Sequence, residues 1–518
     1  MPEPTTAERA LIAKVAGEGH ALVQAVHRRG AMSLKAFSRS GRPATAGAFF
    51  GEIAAVAQAL CEPNDDRVLI LEVNRTETGY RLSHTFALRD ISPAEVLLDP
   101  EHRYPNHPSP GMPRPEGIDV TDRPTDPAVL AEVRALVGEY IALYTSIKGT
   151  APDFGEPLTE AEILAAETAM GLRLPEDVRA LYRCVHSDSH EHGLLGAQSL
   201  LPLDSVVHGY VSEGPGTSPA DERPFPVNAV VFDADPPGVV RRVSRSDWWV
   251  TVATDMGGNS CAIDLDPAAE GTRGQLIEFG RDFHGPVGLV AASVTEVLRQ
   301  VVTALRAGAY EKDEEPGSTY LILDERVGRS TEAGYRPANR VGPDSTASVV
   351  ERLTDPLTAQ LLYLNDAEMI ELAALTPLAN LRALSINRAA RVTTPLPHEL
   401  PVESLRLSAA DADLALLSGH PDLWQLELAG LTAPVAVEAL AALPALSALD
   451  LSEVDVDDVE ALADLTGLRV LTLNAAQWSR LREADRVPPH LAAARMAGRC
   501  FLDEAVTWRE WLTGKTSE

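Results

Sequence analysis

The chain has 518 residues, 45% of them hydrophobic, with 45 Lys and Arg against 75 Asp and Glu and a formal net charge of −30. That length exceeds one core and calls for roughly two to four domains, while the apolar fraction excludes wholesale disorder. The charge repels phosphate backbones and anionic lipid heads, so nucleic acid and membranes are disfavoured, and it suits either a basic protein partner or solubility alone.

No run of about 18 apolar residues is present. The start, MPEPTTAERALIAK, lacks the basic and apolar regions of a secretory signal, so a cytoplasmic protein is expected. Cys61, Cys184, Cys261 and Cys500 stand too far apart for a CxxC metal or redox motif. In chain order, residues 1–125 read as a small α+β domain. It has a helix near 5–17, a second from about Ala44 to Leu60, and a hairpin of RVLILEV (67–73) and YRLSHTFAL (80–88). The Pro- and Gly-rich LLDPEHRYPNHPSPGMPRPEG around Tyr104 then forms a packed loop. Residues 126–148 make an amphipathic helix leading into a middle domain, 126–310, with its core at 158–302.

That core opens with two helices, LTEAEILAAETAMGLRLPEDVRALYRCV, with Gly171 ending the first and Pro175 in the first turn of the second. Strand-like AVVFDAD, WWVTVATD, SCAIDLDP and GQLIEFGRD follow, and ASVTEVLRQVVTAL closes as a helix. Met256-Gly257-Gly258-Asn259 is a turn signal and lacks the spacing and Lys of a phosphate loop. Asp264 and Asp266 alternate on a strand and so share a face, which suits a cation, a basic partner or, more often, a plain polar strand end. His186, Asp188, His190, Glu191 and His192 hold enough donors for a divalent metal but lack HExxH spacing, so an exposed loop is the expectation. No metal, cofactor or catalytic residue is assigned.

The Gly171-x-x-Leu174-Pro175 junction with Tyr182, LLPLDSVV around Leu203, and Trp248 or Trp249 before a strand form a recognisable series. It continues through Asp255, Gly257, Gly258, Asn259, Asp264, Asp266, Gly271, Gly274 and Gln275. In that order these features resemble the SUKH superfamily, the fold of yeast cell-wall-assembly regulators and of many bacterial immunity proteins. One departure is His186–Gly193, where the family has an Asn-Gly turn after the Tyr helix.

Residues 311–350 read as a linker with one short strand, TYLILDE. From 351 to 475 an apolar-x-x-Leu-x-Leu pattern returns six times, starting at Ala359, Leu381, Val402, Leu423, Leu446 and Leu468, at intervals of 22, 21, 21, 23 and 22 residues. Each Leu-x-Leu is a strand with both leucines inward. Segments such as VAVEALAALPAL between them show helical spacing. One unit cannot bury its own apolar face, but six stacked units can. The pattern resembles the short leucine-rich repeat. It implies a solenoid whose concave face presents Tyr363, Ser385, Arg406, Glu427, Asp450 and Thr472 to a partner. Beside them stand Asn365, Asn387 and Asn474, which suit a structural role. Residues 476–518, with Trp478, Trp508 and Trp511, are expected to cap the array.

The fold class expected is therefore multi-domain α/β (α+β): a small amino-terminal domain, a SUKH-like domain and a leucine-rich-repeat solenoid. The function expected is non-catalytic protein binding. The resemblance points first to an immunity protein that neutralises a basic toxin domain, with a scaffold or regulator of cell-wall assembly or signalling as the alternative. A metal-dependent enzyme is the remote third reading.

Overall fold

The computed structural model describes residues 4–28, 31–38, 43–44, 49–61, 68–87, 94–109, 111–189, 191–212, 229–234, 236–281, 287–312, 321–323, 327, 338–341, 345–353, 355–498 and 500–514. Helix α1 (Thr6–Gly17) starts where Thr5 and Glu8 cap each other reciprocally. Strands β1 (His20–Arg28), β2 (Ala31–Ser38) and β3 (Pro43–Ala44) follow, then α2 (Phe50–Leu60) and the hairpin β4 (Val68–Arg75) and β5 (Tyr80–Ala87). They form an antiparallel sheet ordered β3-β2-β1-β4-β5. Leu69, Leu71 and Val73 face α1 and α2, packing with Leu11, Val15, Ile53 and Val56. Val68 and Ile70 point the other way, as alternation requires. The sequence reading placed the hairpin, missed β1 and β2, and began the second helix too early: Ala44 belongs to β3.

Residues 1–125 do not pack as one body. Strand β6 (Glu95–Leu97) leaves for the carboxyl-terminal sheet, and Ile118 joins the middle core. Helix α3 (Pro127–Lys148) is capped by Asp126 and ends at Gly149. Then come α4 (Glu160–Met170), α5 (Glu176–Tyr182), β7 (Ser199–Leu200), α6 (Leu203–Ser212), β8 (Trp249–Thr254), β9 (Asn259–Asp264), β10 (Gln275–Gly280), β11 (Gly288–Ala291) and α7 (Val294–Ala307). Gly171 takes φ 71°, the left-handed conformation that closes α4. The antiparallel sheet runs β11-β10-β9-β8-β7. One face, with Val250, Val252, Ile263 and Leu276, buries against Tyr140, Tyr144, Leu181, Tyr182, Leu298 and Val301 of the helices. The other carries Trp249, Ala262 and Ile277, covered by Ala234, Val239 and Val240. The expected strand AVVFDAD is not formed: the described part, 229–234, is irregular, with a bend at Val230, and pairs in no sheet.

Strands β12 (Tyr310–Lys312) and β13 (Leu321–Leu323) pair with each other. The region expected as a linker also supplies β14 (Ala338–Val341) and α8 (Thr346–Glu351), which already belong to the next body. There follow β15 (Leu361–Asn365), β16 (Met369–Glu371), β17 (Ala383–Thr393), β18 (Ser404–Asp411), β19 (Gln425–Ala429), α9 (Val437–Ala441), β20 (Ala448–Glu453), β21 (Val470–Asn474), α10 (Ala475–Glu483), β22 (Ala493–Ala497) and α11 (Leu502–Thr513). The sheet order is β14-β15-β17-β18-β19-β20-β21-β22-β6, parallel until β6 closes it antiparallel. Leu362, Leu384, Leu405, Leu426, Leu449 and Leu471 lie in one row, each 2% exposed or less.

Three of the segments between these strands, at Leu372–Leu375, Leu414–Leu417 and Val459–Asp464, are short 3₁₀ turns and not the expected α-helices, whereas VAVEALAALPAL carries the short helix α9 as expected. The physical reason is length. A period of about 22 residues, less one strand and two turns, leaves room for a single tight turn, and 3₁₀ advances further per residue. The expected cap is also more than a cap: β22 extends the ladder, and Trp478 and Trp508 are buried in its core.

Candidate protein-interaction surface

The outward residues of the long sheet stand in columns because its ladder is in register. Tyr363, Ser385, Arg406, Glu427, Asp450 and Thr472 are successive partners, and the column runs on to Arg495 and Glu95. Arg406 pairs with Glu427 across the two strands. Burial pushes the Glu427 carboxyl above its usual range; Arg406 opposes the shift, and Asp450 and Glu453 add to it. Asp450 Oδ1 accepts from Ser452 N at 2.9 Å and Oγ at 2.7 Å. Ser385 and Thr472 are buried, while Arg406, Glu427 and Asp450 in the middle of the column are half-buried, as is Tyr363. The asparagines hold the array itself: Asn387 Nδ2 donates to Asn365 Oδ1 at 2.8 Å, and Asn474 donates to Ser452 O and caps α10.

The column two residues earlier, which the sequence reading does not address, is not open. Leu361, Ala383, Ala448, Val470 and Ala493 are covered by Ala229, Val230 and Phe232 together with Tyr104 and Trp424. The Tyr104 and Trp424 rings lie 5.6 Å apart, and burial pushes the Tyr104 phenol up. At the rim a charged chain closes the seam: Asp233 with Arg382, Arg382 with Glu403, and Glu403 with Arg242. Trp424 Nε1 donates to Glu403 at 3.3 Å. Sequence reasoning missed these residues. Gln360, Arg382, Glu403, Trp424 and Arg469 all occupy the second position of their repeats, so extending the column reading by one position exposes them.

The residues that carried the family resemblance build the middle fold and form no open site. The Asp255 carboxylate accepts from Gly257 N, Asn259 N and Asn259 Nδ2 at 2.7, 3.0 and 2.6 Å, which shapes the β8–β9 turn that includes Gly258. Asp264 is fully buried; its oxygens accept from Asp266 N and from Gln275 Nε2, both at 3.0 Å. Gln275 also donates to Val239 O at 2.8 Å and accepts from Thr272 N at 3.0 Å. Gly274 N donates to Asp264 O. A Cβ on Gly271 would stand 2.1 Å from Val239 O, so only glycine fits there. Trp249 packs on Phe279 with ring centroids 5.4 Å apart. Asp264 and Asp266 are thus not the exposed pair that strand alternation suggests: Asp266 lies past the end of β9 and is bound by Arg241 at 2.9 Å.

The histidine loop is likewise packed. Asp188 accepts from the backbone of His192, Gly193 and Leu194 at 2.8, 3.0 and 3.1 Å. The His192 ring accepts from Asp153 N through Nε2, which leaves its proton on Nδ1, directed at Tyr144. His190 lies outside the described residues. Among the described residues no group of three His, Cys, Asp or Glu could hold a metal, and no helix is long and apolar enough to cross a membrane.

Residues 157–300 match the family described as SMI1 / KNR4 (SUKH-1). This stretch is an SMI1/KNR4-family domain. Its limits fall within two residues of the expected 158–302 core. The chain is 35% identical over 89 residues to the glucan synthesis regulatory protein of Neurospora crassa, covering 17% of this chain and 16% of the relative. It is 39% identical over 87 residues to the cell wall biosynthesis/cell cycle regulator smi1 of Schizosaccharomyces pombe, covering 17% of each. With the cell wall assembly regulator SMI1 of Saccharomyces cerevisiae it shares 26% over 204 residues, 33% of this chain and 37% of the relative. The chain thus spans 16% and 17% of the first two relatives. Among solved structures an internalin of Listeria monocytogenes aligns with 29% of this chain and 50% of its own, at 15% identity and a TM-score of 0.20, and carries no argument.

Proposed function

We propose that the chain is a non-catalytic, protein-binding regulator of the cell-wall-assembly type, acting in the cytoplasm. In this reading the SMI1/KNR4 domain is joined to a leucine-rich-repeat solenoid over 351–475, and the solenoid reads a partner through its open column. The observation that carries the regulator reading is the family match over 157–300 with relatives named as regulators of glucan synthesis and wall assembly. The in-register column with Arg406, Glu427 and Asp450 half-buried but solvent-accessible at its centre supports the partner surface. The relatives' names favour regulation over toxin immunity. The net charge of −30 still suits a basic partner, which is the feature the immunity reading rests on.

The test is quantitative affinity capture from native lysate with the wild-type chain and a Glu427→Lys/Asp450→Lys double variant. Recovery of several wall-assembly proteins, weakened by the double variant, supports the regulator. One stoichiometric basic toxin domain would replace it with immunity, and equal recovery by both chains would move the partner surface off this column.

A further inference from the structure

Residues 229–233 lie across the carboxyl-terminal sheet and are held there by side chains. Ala229 O accepts from His107 Nε2 at 2.9 Å, and Val231 O accepts from Arg242 Nε at 2.7 Å. The Gln360 carboxamide takes both backbone groups of Asp233, accepting from N at 2.8 Å and donating to O at 2.9 Å. That last pair is what a neighbouring strand would supply, here made by one side chain. Val230 and Phe232, two residues apart, enter the same apolar trough with Trp424, Ala448 and Val470, with Ala229 beside them. The Asp233 carboxylate then meets Arg382 Nε at 2.7 Å. Backbone groups fixed by polar contacts and alternate side chains seated in pockets are the means by which grooves bind extended peptides.

We propose that this trough is a peptide-recognition site occupied in cis. Residues 229–233 are its resting ligand, and a partner segment of the same chemistry exchanges with them. That chemistry is two apolar residues at alternate positions followed by an aspartate. Being tethered, the cis segment competes at an effective concentration in the millimolar range, so the resting chain binds such a partner weakly and a chain with a disabled segment binds it well. The site lies beside the Arg406–Glu427–Asp450 column and is distinct from it, so the two can be tested separately.

The test titrates a fluorescent peptide of residues 228–235, NAVVFDAD, against three full-length chains by anisotropy. These are the wild type, Phe232→Ala/Asp233→Ala, and that double variant with Arg382→Glu added. The proposal expects saturable binding to the double variant, about tenfold or more tighter than to wild type, and its loss with Arg382→Glu. A second measurement needs no variant: in wild type the Asp233 amide should exchange with solvent through a local opening, well before the amides of β18. Absence of peptide binding while the β18 amides of the double variant stay protected would overturn the proposal. So would Asp233 exchanging only together with β18, which makes the segment permanent core. A concentration-dependent dimer of the wild type that the peptide does not compete with would overturn it too, since the trough would then join two copies.

Discussion

Asp264 shows how a motif residue can be essential to a fold and still titrate against it. Its carboxyl is buried between Asp266 N and the Gln275 amide, and burial pushes its pKa up to about 6; the hydrogen bonds from Asp266 and Gln275 offset only part of that. The raised value fixes the sign of the pH dependence. Between the unfolded carboxyl's range near 4 and the folded value near 6, the folded state holds the extra proton, so stability falls as pH rises through that window. The decline amounts to at most about 3 kcal/mol and levels off above it. In Asp264→Asn the new amide would face the Gln275 amide donor to donor, so the variant is less stable, by about 1–3 kcal/mol. It also lacks the titration. Denaturant unfolding at pH 4.5 and pH 7 should therefore find the wild type's advantage larger at the lower pH. An advantage independent of pH would show that Asp264 does not carry the raised pKa.

At the scale of elements, the parallel sheet is set by its leucine rows. Each Leu-x-Leu buries two leucines against the rows above and below, so no strand is stable without its neighbours. Leu405 sits in mid-array at 1% exposure. Leu405→Ala should cost about 2–5 kcal/mol through lost transfer energy and the cavity left behind, read as a lower urea midpoint with far-UV signal retained below it. The segments between the strands illustrate the opposite limit, where helical spacing in the sequence yields 3₁₀ turns at Leu372–Leu375 and Leu414–Leu417 because a short period leaves little room for more. Strand β6 closes the sheet against β22 with three residues from a Pro-rich stretch, held by pairing, by burial of Val96 in the core and by the Glu95–Arg495 ion pair.

Across the whole molecule, the carboxyl-terminal sheet is the hub to which the other parts are fastened. Leu502 of α11 packs on Val68 and Ile70 of the amino-terminal sheet, β6 and Asp99 close the far end, and residues 229–242 join the SMI1/KNR4 domain to the rim. Glu403 is the key residue of that rim, accepting from Arg242, Arg382 and Trp424. Glu403→Ala removes the acceptor that Arg242, Arg382 and Trp424 share in a partly buried seam, leaving Arg382 with Asp233 and Arg242 with Val231 O, and should cost about 1–3 kcal/mol. Arg391→Ala, which breaks only the exposed Arg391–Asp411 pair, should change stability by less than about 1 kcal/mol. Thermal unfolding of the two variants side by side checks the contrast, and equal effects would mean that the seam is solvated.

The sequence by itself determined the local and periodic features of this protein. Six apolar-x-x-Leu-x-Leu recurrences set the strand rows, Gly171 and the Asp255–Gln275 series marked the SMI1/KNR4 domain, and RVLILEV and YRLSHTFAL about the turn NRTETG marked a hairpin, because each is encoded by neighbours along the chain. The tertiary structure decided what distant residues do to one another. AVVFDAD has the composition of a strand, yet its described residues lie as a strap because the apolar column of the repeats, Gln360 and Arg382 take it from the far side of the chain. Asp264 and Asp266 alternate as if to share a face, but the strand ends between them and Arg241 claims one while Gln275 buries the other. The apolar column Leu361, Ala383, Ala448, Val470 and Ala493 is therefore covered by the protein itself, a fact carried by contacts between residues more than a hundred positions apart and by no local pattern.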